Sequence, residues 1–357
     1  MKWEKRKNLQ VLGVLLIILS LIFVSGYQGI QNSLFAAPEL KPWVYICSEP
    51  YWLIIWMPTP RETNQTNFFQ TVLSQTTTYN IQPSETMKVI DRYRNVTNIA
   101  LWDEPRTAEF VATTETVMRI KIDSTLLNLS DPFPISEDLV PKEAEPYIKS
   151  EKYTYWEDDH HTKMRILNII QPDDPAIKSL AKNLSQGCKK EIEVVNKIAN
   201  WISKNITPAD HCLDVKSYNP AWVLENKTAR CVGFSNLMIA LLRDNNIPAR
   251  LVYGIKYRKK LVRINPGHCW IEIYFPEVGW LQYDPTYHSP VPFCIPFKVL
   301  RDYAEPEHTA DLSLRTDFSS RWDTKVQITD LGNNTIKMTY TVFCKTSEDM
   351  ILWKLQW

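Results

Sequence analysis

Glycine is scarce in this chain, 9 residues of 357 against 23 prolines. Nothing reads as a glycine-rich phosphate cradle, and the proline excess suggests stiff loops rather than flexible linkers. A surplus of one charge is also missing, because 41 Lys+Arg balance 40 Asp+Glu to a net of +1. That leaves no electrostatic case for nucleic acid as a partner. The chain has no internal repeat, no low-complexity tract and no paired Cys/His spacing of the kind that holds zinc. Glu157-Asp158-Asp159-His160-His161 comes nearest to a metal cluster. Adjacent histidines on a strand point to opposite faces, so a solvated turn is the better reading. His211-Cys212 has no matching ligand pair. No metal or cofactor is expected.

What is present is a 44% hydrophobic composition over a length that suits two or three domains. Lys2, Lys5, Arg6 and Lys7 precede an apolar run from Val11 to Gly26. Basic residues before an apolar run direct the rest of the chain outward. The run lies between a long signal-peptide core and a short transmembrane helix. Val24-Ser25-Gly26 is a weak cleavage site, which favours an uncleaved anchor over a removed signal peptide. No later segment is long and apolar enough to span again. The expected place is the cell membrane, crossed once with the remainder outside, or the secreted fraction. Acceptor sequons for glycan at Asn64, Asn95, Asn128, Asn183, Asn205, Asn226 and Asn333 agree with that. The 7 cysteines are an odd number. Setting Cys231 aside leaves Cys47, Cys188, Cys212, Cys269, Cys294 and Cys344, an even set that permits disulfides of undeducible connectivity. Cys269 could equally be a free buried thiol.

From Lys41 to Ile148 short apolar runs alternate with turns, among them Tyr51–Met57, Thr97–Trp102 and Val117–Ile122. Regularly spaced short strands suggest a sandwich. Asp173-Asp174-Pro175 reads as the cap of a helix over Ala176–Gln186, closed by Gly187. A second helix over Lys190–Asn205 carries Ile192, Val195, Ile198 and Ile202 on one face. Further strands are expected at Phe293–Ile295, Lys325–Ile328, Thr335–Phe343 and Met350–Trp353, either as a small extension or as part of the first domain's sheet.

The stretch from Ala221 to Thr286 organises the rest. Cys231 opens an amphipathic helix with Phe234, Leu237, Met238 and Leu241 at i, i+3, i+4 and i+7. A thiol in the first turn of a helix faces unpaired backbone N–H groups and the positive end of the macrodipole, and both favour thiolate. Three strands follow, over Arg250–Ile255, His268–Tyr274 and Gly279–Asp284. Alternation puts His268, Trp270 and Glu272 on one face, Cys269, Ile271 and Ile273 on the other, and Trp280, Gln282 and Asp284 together. Neighbouring antiparallel strands can then set His268 beside Asp284. Nucleophile, base and orienting carboxylate are the parts of a covalent acyl-transfer site. The bland alternatives are a packed cysteine and a satisfied polar histidine.

Cys231-Val232-Gly233-Phe234-Ser235, Asn246-Ile247-Pro248-Ala249-Arg250, Gly267-His268-Cys269-Trp270-Ile271-Glu272 and Gly279-Trp280-Leu281-Gln282-Tyr283-Asp284-Pro285-Thr286 together resemble the transglutaminase-like superfamily, over roughly Asp173 to Thr286. The resemblance implies an α+β, papain-like catalytic domain, with the cysteine helix packed on an antiparallel sheet and a β-sandwich-like domain before it. It implies Cys231 as nucleophile, His268 as general base and acid, and Asp284 as orienter. Where the family usually has glycine two residues before the cysteine, this chain has Ala229, and where it often has alanine after the histidine, this chain has Cys269. Trp222 is a candidate donor to the oxyanion through its indole N–H; a core role is the competing reading. The expected division is a basic leader over 1–10, the apolar segment over 11–26, a β-rich domain over 41–148, the catalytic domain over 160–290 and a β-rich extension over 291–357. The expected chemistry is hydrolysis or transamidation of an amide in a protein or peptide through a thioester, cell-surface or cell-wall material being among the candidate substrates. A non-catalytic binding or assembly module on the same scaffold is the rival.

Overall fold

Asp174 begins the helical part of the structure, here a computed structural model that describes residues 43–46, 52–103, 109–123, 129–149, 153–156, 164–167, 170, 172–209, 215–256, 262–264, 267–288, 294–301 and 321–345. The Asp174 carboxylate accepts the backbone N–H groups of Ala176 at 2.9 Å and Ile177 at 3.3 Å, with proline at the first helical position. The helix that follows, α1 (Pro175–Ser185), stops just before Gly187, whose φ of +75° is a left-handed value that favours glycine. Helix α2 (Glu191–Asn205) buries Val194, Val195, Ile198, Ala199 and Ile202 on one face. The short α3 (Pro220–Asn226) leads into α4 (Cys231–Asp244).

Helix α4 departs from the amphipathic expectation. Every residue from Val232 to Arg243 is buried. A helix apolar nearly all round belongs inside a domain, and α4 is wrapped by α1, α2, α3 and the sheet. Each fully buried Leu, Ile, Met or Phe side chain contributes about 1.5–3 kcal/mol. Arg243 is tolerated there because its guanidinium donates to the carbonyls of Ala249 at 2.8 Å and Arg301 at 2.6 Å. Gly233 lets the α3–α4 corner close: a Cβ there would stand 2.7 Å from the Ser217 carbonyl oxygen and 3.0 Å from Ala229 Cβ.

Eighteen strands are described: β1 (Trp43–Ile46), β2 (Trp52–Pro58), β3 (Thr63–Asn64), β4 (Phe68–Tyr79), β5 (Glu85–Ile90), β6 (Val96–Asp103), β7 (Glu109–Ile122), β8 (Tyr153–Trp156), β9 (Met164–Leu167), β10 (Thr207–Pro208), β11 (Thr228–Ala229), β12 (Ala249–Lys256), β13 (Val262–Ile264), β14 (Gly267–Phe275), β15 (Gly279–Tyr283), β16 (Cys294–Leu300), β17 (Arg321–Gly332) and β18 (Thr335–Lys345). The sheet under α4 has the order β15-β14-β12-β16, all antiparallel. A four-stranded sheet, β1-β2-β6-β5, and a six-stranded sheet, β13-β17-β18-β7-β4-β3, make up the β-rich part. These two sheets share buried contacts, Trp102 of β6 meeting Phe110 of β7 edge-on at 5.5 Å, as a sandwich requires. Strand order runs across the boundary drawn at residue 290. Strand β16 completes the sheet under α4, while β17 and β18 pair with β7 in the first domain's sheet.

The β-rich part meets the α4 sheet through polar contacts. Gln65 donates to Glu272 at 2.6 Å, Asn67 to the Gln282 carbonyl at 3.2 Å, and Asn95 to the Val299 carbonyl at 2.9 Å. The last of these corrects the sequon reading at Asn95. That side chain is 2% exposed and also bound to Asp91 and Arg61, so it serves structure and offers no surface for a glycan. Among the described residues no disulfide joins any of Cys188, Cys231, Cys269, Cys294 and Cys344, against the disulfide expectation. Cys47, Cys212, Asn128, the His160-His161 pair and the Met350–Trp353 run lie outside the described residues, as does the apolar segment Val11–Gly26. No helix among the described residues is long and apolar enough to cross a membrane.

Glu191, the first residue of α2, is fully buried, and neither carboxyl oxygen has a hydrogen-bond partner among the described residues. Burial and the neighbouring Asp131 push its pKa up to about 9. A folded-state pKa raised above the unfolded value means that the native state holds the extra proton. Stability therefore falls as pH rises from the ordinary carboxylate range toward about 9. Glu191→Gln is expected to remove this slope: its stability relative to the parent should improve by about 1.4 kcal/mol per pH unit between roughly pH 5 and 8. Urea melts at stepped pH measure this, and parallel curves would contradict it.

Candidate active site

Cys231 is the first residue of α4. The residue before it, Arg230, is extended and places no side-chain cap on the helix start. A serine or aspartate there would occupy the first-turn N–H groups; arginine leaves them uncapped, aimed with the helix dipole at the region of the sulfur. Cys231 is half-buried and packs against the main core.

Strand β14 lies directly against α4. Its Cys269, Ile271 and Ile273 share the core cluster with Val232, Leu237 and Leu241 of the helix. Trp270 clusters instead with Val252, Cys294 and Val299 on the other face. Gly254 of β12 makes room for that indole, since a Cβ at 254 would be 2.7 Å from the Trp270 ring and 2.1 Å from the Ile295 carbonyl oxygen. The register Ile271↔Tyr283, Glu272↔Gln282 continues to set Asp284 opposite Trp270, and so diagonal to His268. Across that diagonal His268 Nε2 meets Asp284 Oδ2 at 2.8 Å, both side chains buried. The other carboxylate oxygen accepts the Thr286 backbone N–H at 2.9 Å, which fixes the carboxylate plane. Trp270 stacks on the imidazole, ring centres 6.0 Å apart, and donates through Nε1 to Gln282 Oε1 at 2.9 Å.

His268 also hydrogen-bonds Cys231. With Nε2 committed to Asp284, Nδ1 is the atom left for the sulfur. Burial works against the imidazolium, but hydrogen bonds to Asp284 and Cys231 and their negative charges outweigh it and raise the His268 pKa to about 10. The Cys231 thiol moves the opposite way, held well below the ordinary thiol range first by a hydrogen bond from the Cys269 thiol, against burial, and then by His268. The arrangement favours a thiolate beside an imidazolium. The structure places Cys231, His268 and Asp284 side by side. Trp222 does not join them: it sits half-buried in α3 against the core, and among the described contacts its indole makes none with Cys231 or His268.

Several neighbours were not singled out as site residues in the sequence. Trp270 and Gln282 were signalled by the same alternation that placed His268 and Asp284. Tyr287 tilts over His268 at 5.6 Å and is 55% exposed, with the Lys256 ammonium 3.3 Å from its ring centre. It lies in the turn after Pro285, where no periodicity marks it. Cys294 comes from β16, and its sulfur, a His268 nitrogen and an Asp284 oxygen lie within 4.8 Å of one another. A divalent ion could bridge such donors, but Nε2 and Oδ2 already hydrogen-bond each other. At the other end of β14 a cavity of about 330 Å³ is lined by Arg61, Gln65, Arg250 and Trp280, with the Arg250 guanidinium 3.9 Å over the Trp280 ring and paired to Glu272.

A buried cysteine helix on an antiparallel sheet, with His and Asp on adjacent strands, is the architecture of thiol enzymes related to papain. Residues 178–285 match the transglutaminase-like superfamily, and the chain carries a domain of that superfamily. Among curated relatives, YebA of Bacillus subtilis is 30% identical over 159 residues, covering 41% of this chain and 20% of that protein. A protein-glutamine gamma-glutamyltransferase of Pseudomonas aeruginosa is 27% identical over 145 residues, covering 36% of this chain and 21% of that protein. The matched stretch thus spans about a fifth of either relative. Among solved structures, a Cytophaga hutchinsonii protein described as a candidate cysteine protease superposes with a TM-score of 0.43 at 17% identity, covering 71% of this chain and 78% of that one.

Proposed function

We propose that this protein is a thiol enzyme that opens amide bonds of proteins or peptides through a covalent thioester on Cys231. The observation that carries the reading is the chain of contacts from Cys231 to His268 and on to Asp284 at 2.8 Å. The Cys231 thiolate attacks the amide carbonyl carbon. Backbone N–H groups at the start of α4 receive the developing oxyanion. His268, an imidazolium at neutral pH, gives its proton to the leaving amine, and the thioester remains. Asp284 keeps Nε2 engaged so that Nδ1 faces the sulfur throughout.

The second half-reaction depends on what reaches the thioester. Cys231 is half-buried rather than sealed, and Tyr287 beside His268 is 55% exposed. Water has access among the described residues, which supports hydrolysis. Transamidation is the second reading, supported by the glutamyltransferase named among the relatives. The basic residues and apolar run at the N-terminus support action outside the membrane, where protein or cell-surface material would be the substrate.

The test is incubation of purified protein with casein and a fluorescent primary amine. Ammonia or new termini with no label on casein is the expected result. Labelled casein would move the assignment to a transferase. No product, together with a Cys231 that alkylates no faster than an ordinary thiol, would leave a binding scaffold.

A further inference from the structure

Cys269 is the residue next to His268, yet its side chain points the other way, into α4. Cys231 is the helix residue it meets. The Cys269 S–H donates to the Cys231 sulfur, so the two thiols are in direct contact. Their burial differs: Cys231 is half-buried, while Cys269 is fully buried. Cys294 packs with Val252, Trp270 and Val299.

We propose that Cys231 and Cys269 form a site of reversible oxidation by hydroperoxides, at which Cys231 is oxidised first and Cys269 then closes a disulfide onto it. The proposal rests on the reading of Cys231 as a thiolate. In the first step the Cys231 sulfur attacks one peroxide oxygen. The S–O bond forms, the O–O bond breaks, and the alkoxide or hydroxide that leaves takes a proton from the His268 imidazolium. Sulfur has lost two electrons and the peroxide has gained them, giving a sulfenic acid and one molecule of alcohol or water. In the second step the Cys269 sulfur attacks the Cys231 sulfur, the S–O bond breaks, and hydroxide leaves with the Cys269 proton as water. Two thiols and one hydroperoxide give one disulfide, one alcohol or water, and one further water.

The geometry orders the steps. The less buried of the two residues, Cys231, is the one that meets a small oxidant first. Burial, and then the hydrogen bond and negative charge of Cys231, hold the Cys269 thiol well above the ordinary range while Cys231 is a thiolate. Conversion of Cys231 to the neutral sulfenic acid removes that charge and frees Cys269 to react at a sulfur it already touches. The disulfide stops Cys231 short of the irreversible sulfinic acid and takes the nucleophile out of use until a thiol reductant returns it.

The test is peptide mass mapping of the full chain after a few equivalents of hydrogen peroxide, with remaining thiols alkylated under denaturing conditions. The expected product is a Cys231–Cys269 linked peptide pair about 2 Da lighter than the two reduced peptides, reversed by dithiothreitol, whereas Cys269→Ala carries about 32 Da of sulfinic oxygen on Cys231 that dithiothreitol does not remove. Sulfinic acid on Cys231 of the parent with Cys269 still alkylatable would overturn the proposal, as would a link from Cys231 to another cysteine. Iodoacetamide on the untreated native protein separates the two readings. Rapid labelling of Cys231 without a link defeats the pairing alone, and a Cys231 inert to both reagents defeats the thiolate reading as well.

Discussion

Cys231→Ala is expected to lower turnover of an amide substrate by on the order of 10⁴-fold or more, leaving the trace that substrate positioning and oxyanion donors supply by themselves. The side chain is small and half-buried, so its loss removes little packing. What it removes is the sulfur to which the acyl group would be attached, and no neighbour substitutes. Cys269 touches the same point but is buried and held protonated, and Cys294 is buried among Val252, Trp270 and Val299. Cys231→Ser should be nearly as inactive, because a hydroxyl is far harder to ionise than a thiol in the same field. Activity is to be followed with whichever amide substrate the casein assay identifies, beside a thermal melt within a few degrees of the parent. An alanine variant that keeps a tenth of the parent rate would remove covalent catalysis from the account.

Asp284→Asn is expected to cost on the order of 10²–10⁴ in kcat/KM. The carboxylate accepts on both oxygens, from His268 Nε2 and from the Thr286 N–H. An amide can keep one of these acceptor roles, but its NH₂ is a donor. Set toward His268, it turns Nε2 into an acceptor and moves the ring proton to Nδ1, facing the sulfur. The charge that helps raise His268 to about 10 is also lost. Both changes favour a neutral thiol beside a neutral imidazole. Cys231 alkylation near neutral pH should therefore slow together with kcat/KM, a result that mere loosening of the fold would not give. Unchanged alkylation with lowered turnover would instead assign Asp284 to substrate binding.

The sequence carried the site further than the fold around it. Alternation on β14 and β15 separated the His268 face from the Cys269 face, and the diagonal between the strands brought Asp284 to the imidazole. Those signals are local and periodic, so they survive in one dimension. The character of α4 was less legible: its apolar residues at helical spacing read as one face, whereas α1, α2 and α3 cover the rest of it. Burial of Arg243 gave no signal, because its acceptors are carbonyls at Ala249 and Arg301, which any sequence would supply. Strand β16 looked like the start of an extension because an edge strand that returns to β12 carries no mark of its partner. The Cys231–Cys269 contact was hidden for a related reason. Alternation showed Cys269 facing away from His268, but only the packing of α4 on that face brings the two sulfurs together.

The rate of Cys231 alkylation by iodoacetamide as a function of pH tests the central claim most directly. A thiolate held by Cys269 and His268 reacts at a rate that is already flat where an ordinary thiol, with a pKa near 8.5, is still gaining about tenfold per unit. It should change again only as His268 loses its proton at about 10. A rate for Cys231 that climbs steadily to a single step near the ordinary thiol value would mean that no thiolate–imidazolium pair exists, and the enzyme assignment would fall with it.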